Sequence, residues 1–499
     1  MASRFPTSPA PAASFPSRKK PARLHPLEIT LVGLSGAHLC FLPWALGTMH
    51  VWSQVLSFLL AGTCFAIALV PRTHIGEYSR DGRSYRYLPV RRLLKFPGFW
   101  LGLILLAYVF VQAVNPAWRY MREGDAWWME RIDHVAWLPA SADAPFAISN
   151  PWRALLVWSS AWMTACALWI GLTRRAMLRG LLSLLVLNAT SLAIVGILQH
   201  VAGNGKILWF IEPSTHYAVA TFLYKNHAGA YFNLLLATAL AVAAWHQRHS
   251  ERHFERASPA PVFVVCAVLL ALIVALSFSR ASTLLMLLFG AVSIVMGVLH
   301  LLRSARRPNL PLVAAIAVCL AGLVWLSARQ LQLARAADKF QQLFQSDRVA
   351  SIESRQIAAQ ATWEMAQAQP VTGWGAGCFR FLFPLFQQNH PAIYQPAWDP
   401  GRMFYYEHAH NDYLQFLAEL GIVGSLPLIL LLGAGVFAWC RRRAWKNSPA
   451  LLLSLGLALL LAHCWIDFHL QNPAILLTAS ALAVVLVRWI DLESKRRNP

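Results

Sequence analysis

Apolar side chains run along this chain in long unbroken blocks, without the period-two alternation of a half-buried strand. Twelve blocks, at about 27–48, 51–70, 97–114, 152–172, 181–200, 222–245, 260–278, 282–302, 311–328, 412–439, 449–468 and 473–490, each approach the ~20 residues an α-helix needs to cross a ~30 Å hydrocarbon core. They predict an all-α integral membrane protein of about 12 transmembrane helices. Between the ninth and tenth blocks lies one long polar interval, 329–411. Within it Ile352, Ile357, Ala361 and Met365 recur at near-helical spacing and Pro370 stops the pattern, which predicts an amphipathic helix over 351–369 on the bundle mouth.

Composition agrees. Of 499 residues 57% are hydrophobic and 13% charged, with a mean hydropathy of +0.47, whereas soluble domains carry about 25% charge. That excludes a soluble multidomain enzyme. The net charge of +21 would suit a nucleic-acid binder, but its distribution points to topology instead. Lys and Arg cluster in alternate short connections, and placing both termini in the cytoplasm collects 28 of them inside against 12 outside, seven of the latter in 329–411, where the positive-inside bias has little force. No nucleic-acid partner is expected.

The resulting division is a disordered basic cytoplasmic tail at 1–26, an N-terminal bundle of about nine spans at 27–328 with an exported loop at 115–150, a large exported loop at 329–411, about three spans within 412–490 and a cytoplasmic tail at 491–499. No cleavable signal peptide is expected ahead of the first span. Seven of the eight cysteines fall in or at the ends of spans, so a disulfide framework is not expected, and no zinc-like Cys/His spacing appears.

Charged groups inside or bordering apolar spans are costly and face the bundle interior or water-filled cavities. Lys225 stands at the outer start of the sixth span, beside Asn226. Arg280, flanked by Ser279 and Ser282, occupies the short outer connection between the seventh and eighth, where the bland alternative is an arginine snorkelling to the headgroups. Asp467 ends the eleventh span and reads as a helix-end partner for an Arg or His. His408 and His410 precede the tenth span, for which Asn411 or Asp412 is a natural N-cap. Such a helix start directs unpaired N–H groups outward and favours anions. The topology puts all these groups on the exported side.

Taken together these residues resemble the O-antigen ligase and O-antigen polymerase family of polytopic membrane glycan transferases. The resemblance rests on Ser354-Arg355 with Trp363, PVTGWG at 370–375, HNDYLQ at 410–415 and ELGIVG at 419–424. NHAG at 226–229, Ser279-Arg280 and the stretch from His463 to Pro473 add to it, so that it covers about 200–473. It implies a C-type glycosyltransferase-like bundle in the bacterial inner membrane, multi-pass, with its active site facing the periplasm. It also implies an undecaprenyl-pyrophosphate-linked glycan donor, a glycan or lipid A-core acceptor, and neither metal nor other cofactor. The family's essential His maps onto His410 and one pyrophosphate-binding arginine onto Arg280. Lys225 stands where members more often carry Arg.

The chemistry of moving a sugar from a lipid pyrophosphate to a hydroxyl fits these side chains. Arg280 and Lys225, with Arg355 or Arg380, can offset charge on a departing pyrophosphate. Imidazole titrates nearest neutrality of all side chains, which suits His410 as general base. Asn226, His408 and Asn411 complete the candidate substrate-binding set. Two alternatives stay open: a polymerase or protein O-oligosaccharyltransferase of the same family, and a polytopic anion transporter, against which stands the absence of an internal inverted repeat.

Overall fold

The protein's structure is a computed structural model that describes residues 25–75, 84–213, 218–253, 257–303, 321–322, 325, 347–395 and 403–497. The predicted ninth span at 311–328 and nearly all of the tail at 1–26 lie outside the described residues. From its start the chain forms α1 (Pro26–Trp44), α2 (Val51–Leu69), a hairpin of β1 (Arg72–Ile75) and β2 (Ser84–Tyr87), the short α3 (Pro89–Leu93), and α4 (Pro97–Val114). Strands β3 (Pro116–Glu123), β4 (Ala126–Arg131) and β5 (Ser141–Asp143) precede α5 (Pro151–Gly171), α6 (Arg175–Ala202), α7 (Lys225–His253), α8 (Ala260–Leu276) and α9 (Arg280–Arg303). The polar interval holds α10 (Asp347–Ala368) and the single turns α11 (Phe379–Leu382), α12 (Pro384–Gln387) and α13 (Pro391–Tyr394); α14 (Asp412–Arg441), α15 (Ser448–His463) and α16 (Pro473–Arg497) follow.

Helices coincide with eleven of the twelve predicted spans, and among the described residues nine are long and apolar enough to cross a membrane. The two that fall short, α8 and α15, are apolar helices of 17 and 16 residues. This is a multi-pass helical membrane protein. Prolines at the first turns of α1, α4, α5, α8 and α15 fix φ where no N–H is missed. At the centre stands α7, buried on nearly all sides by α6, α8, α9 and α15. Gly456 of α15 faces Ala237 of α7 so closely that a Cβ there would collide, the small-against-small packing that helices use where lipid gives no hydrophobic drive.

The all-α expectation needs two additions. The β1–β2 hairpin lies between α2 and α3, and the loop 115–150 folds into a sheet of order β4-β3-β5, with Gly124 at φ +59° in its tight turn. The side chains of β3 and β4 are mostly exposed or half-buried, so that stretch carried no hydropathy signal.

Where α1 begins and α2, α5 and α16 end, buried charges form a clasp. Glu28 accepts from Thr173 Oγ1 at 2.7 Å and pairs with Arg72 at 3.5 Å. Arg72 also donates to the Gly171 carbonyl (3.2 Å), and Arg488 to the Leu172 carbonyl (2.9 Å) and to Asp491 (3.1 Å). The guanidinium groups thus satisfy the carbonyls left over at the C-terminus of α5.

At the other end the polar interval locks into a broken helix. Gly421 in α14 has φ +63°, and the two ladder bonds that should cross it are replaced. Ile422 N donates to Pro370 O (2.9 Å) and Val423 N to Val371 O (3.2 Å), while the vacated carbonyls of Ala418 and Glu419 accept from Trp374 N (2.9 Å) and Gly375 N (2.8 Å). Tyr108 and Gln112 of α4 bond the remaining carbonyls of Thr372, Glu419 and Leu420. A Cβ on Gly373 or Gly421 would meet the other segment's backbone. The PVTGWG and ELGIVG stretches are therefore two halves of one joint.

Candidate functional site

Three helix starts meet at the end of the bundle opposite the clasp. Gly229 near the start of α7 lies against Ser282 near the start of α9, with no room for a Cβ between them. Asn233 of α7 fastens the same turn by donating to the Ser282 carbonyl at 2.8 Å. Ser279 caps α9: its Oγ accepts from Ser282 N at 3.4 Å and bonds Ser282 Oγ at 2.8 Å. Asn411 caps α14, accepting from Tyr413 N and Leu414 N at 3.0 and 3.1 Å. Each capped start is entered through a sharp left-handed corner, Phe278 at φ +54° and His410 at φ +51°, a conformation that costs a bulky residue energy and persists only where its surroundings enforce it.

Asp467, in the connection between α15 and α16, is the hub. Its Oδ1 lies 3.2 Å from His410 Nδ1 and accepts from Phe468 N at 3.0 Å. Its Oδ2 accepts from Asn226 Nδ2 at 2.5 Å and from Tyr224 Oη at 3.3 Å. The carboxyl is 1% exposed. Burial by itself would raise its pKa, but the hydrogen bond from His410 and the fields of His469, His410 and Arg355 outweigh it and hold the carboxyl well below the usual range. An ionised Asp467 can only accept, so His410 Nδ1 carries the proton and, in the neutral ring, Nε2 keeps its lone pair. The ring is 23% exposed, so it is partly open while its orientation is fixed. Phe468 and Tyr406 flank it edge-on at 5.0 and 6.0 Å.

Cations gather on the Asp467 side. Arg355 of α10 donates to the Ile466 carbonyl at 3.4 Å and its charge acts on Asp467 and Tyr224. The charges of Arg280 and Arg355 both act on Lys225, so each lies near it, with Arg280 exposed. Arg380 stands elsewhere, paired with Glu407 at 2.6 Å. His408 stacks on Phe468 at 4.4 Å and bonds Gln415. Burial, reinforced by the charges of His227 and His410, pushes its pKa down to about 3.

Of the sequence candidates, then, His410 and Asn226 converge on Asp467, and Lys225, Arg280 and Arg355 form one group. Arg380 pairs with Glu407, His408 shares Phe468 with His410, and Asn411 is engaged as a cap. Asp467 is the partner for a histidine that its position at a span end suggested. Tyr224 was missed, because nothing in a lone tyrosine before a span reveals a carboxylate across the bundle. Among the described residues no three His, Cys, Asp or Glu side chains are placed to hold a metal ion.

Residues 265–429 match the family model for O-antigen ligase. This chain carries an O-antigen ligase family domain. The matched stretch runs from α8 into α14 and so takes in Arg280, Arg355, the PVTGWG–ELGIVG joint and His410; Lys225 and Asp467 lie outside it. Comparison with the curated proteins finds no match. Within the matched stretch His410 is bonded to Asp467, a carboxylate that lies beyond it.

Proposed function

We propose that this protein is an O-antigen ligase-like glycosyltransferase that moves a glycan from undecaprenyl pyrophosphate to an acceptor hydroxyl, on the periplasmic face of the bacterial inner membrane and without a metal. The observation that supports it best is the His410–Asp467 bond beside three grouped cations. His410 Nε2 takes the proton of the attacking hydroxyl while Asp467 steadies the imidazolium that forms. The oxygen of that hydroxyl attacks the anomeric carbon as its bond to the pyrophosphate oxygen breaks. Lys225, Arg280 and Arg355, with the N–H groups at the starts of α7 and α9, receive the charge left on the pyrophosphate. Asn226 holds Asp467, and His408 backs Phe468, which packs against the base; both are positioning residues.

Purified protein supplied with a lipid-pyrophosphate oligosaccharide and, in parallel, lipid A-core, a second glycan or a peptide tests this. Transfer to lipid A-core is the expected result. Transfer to the second glycan or the peptide would make the protein a polymerase or a protein O-oligosaccharyltransferase, and donor movement across proteoliposomes without transfer would make it a transporter.

A further inference from the structure

A second approach to His410 is lined by aromatic rings. Tyr406 touches the base, and its neighbour Tyr405 lies 5.3 Å from Trp127 of β4. Trp127 stacks with Tyr120 of β3 at 5.8 Å, and both rings stand against Phe381. The hairpin register sets Trp127 opposite Arg122, two residues from Tyr120, so the three share one face of the sheet. Phe381 is buried and forms the floor, Trp127 and Tyr120 are half-buried, and Tyr405 is 43% exposed. Alongside, the Arg380–Glu407 pair keeps 38% and 59% of its side-chain surface exposed.

Partly open rings beside a planar ion pair are the chemistry that recognises a pyranose. Its C–H faces lie on aromatic faces while its hydroxyls bond a carboxylate and a guanidinium. A lipid tail would strand those charges. Glu407 is three residues from His410, so their Cα atoms lie within roughly 10 Å of each other. Resting on the transfer function proposed above, we propose that the Tyr120–Trp127–Tyr405 strip with Arg380 and Glu407 is the subsite for the glycan that bears the acceptor hydroxyl. The cations near Asp467 are left to the donor.

The test pairs kinetics with direct binding. Trp127→Ala and Tyr405→Ala should each raise the acceptor KM about 3- to 10-fold, with kcat and donor KM little changed. Trp127→Tyr and Tyr405→Phe, which keep a ring, should stay within about 2-fold. A rise in donor KM instead, or no change in either, overturns the proposal. Deacylated lipid A-core oligosaccharide should raise the thermal midpoint of both the wild-type protein and the inactive His410→Ala variant, saturably. The Trp127→Ala/Tyr405→Ala double variant should lose that response. No response in the wild-type protein overturns the subsite; binding without any transfer keeps the subsite and sinks the transfer reading instead.

Discussion

Charged side chains are concentrated at both ends of the bundle, and the two groups differ in what answers them. In the clasp, Arg72 and Arg488 are nearly inaccessible and lie on helix-end carbonyls and on Glu28 or Asp491. Around His410, Arg280 is exposed and a buried carboxylate, Asp467, is engaged by a histidine, an asparagine and a tyrosine. Cations at helix C-termini complete the scaffold; cations at helix N-termini face the same sign of dipole, which an incoming anion would offset. Position relative to the helix dipole, more than burial, separates structural charge from the proposed ligand site.

That contrast breaks most decisively at the base. His410→Ala should lower transfer about 10²–10⁴-fold in protein that still inserts and folds; a variant with full activity would remove His410 from the mechanism. Asp467→Asn should follow in the same direction, since the amide no longer fixes the tautomer.

The next test crosses the two ends. Glu28→Ala leaves Arg72 buried without its carboxylate and should cost about 3–5 kcal/mol in unfolding, with turnover per folded molecule retained. Arg280→Ala should do the reverse, losing transfer without losing stability, and Arg280→Lys should recover a good part of it. If both variants unfold together, the distinction drawn above is wrong. Equal losses for Arg280→Ala and Arg280→Lys would point to a two-pronged phosphate contact in place of simple charge.

Smaller again is the effect of Gly421→Ala. At φ +63° and ψ −172° the backbone sits where essentially only glycine goes, so a Cβ there costs about 1–3 kcal/mol before its collision with Val371 O is counted, and a lowered thermal midpoint is the readout.

The mildest test is acidity. His408 binds its proton more weakly folded than unfolded, so its contribution is complete above ~6.5 and declines as pH falls from there towards about 3. Asp467, held low, adds a loss of the same sign below ~4. His408→Gln should flatten the upper part of that acid limb in a plot of midpoint against pH.

Much of this was legible in the sequence because span hydropathy is a local property. The apolar blocks gave the helices, Asn411 gave the cap, and an acid at a span end gave the partner for a histidine. What escaped depends on separation along the chain. Glu407 and Arg380 carry no mark of their pairing, and His408 looks like a solvated loop residue until Phe468 arrives from beyond α15. The sheet over 116–143 escaped because its alternation of Trp, Arg and Glu buries little apolar surface.

The broken helix has a practical consequence for anyone re-engineering acceptor choice. Because backbone groups of 418–423 find their partners in 370–375, a graft that exchanged only the soluble-looking loop would strand amides and carbonyls at membrane depth, where no water can reach them. Chimeras should therefore swap 370–423 as one cassette, together with the tyrosine and glutamine of α4 that seal it.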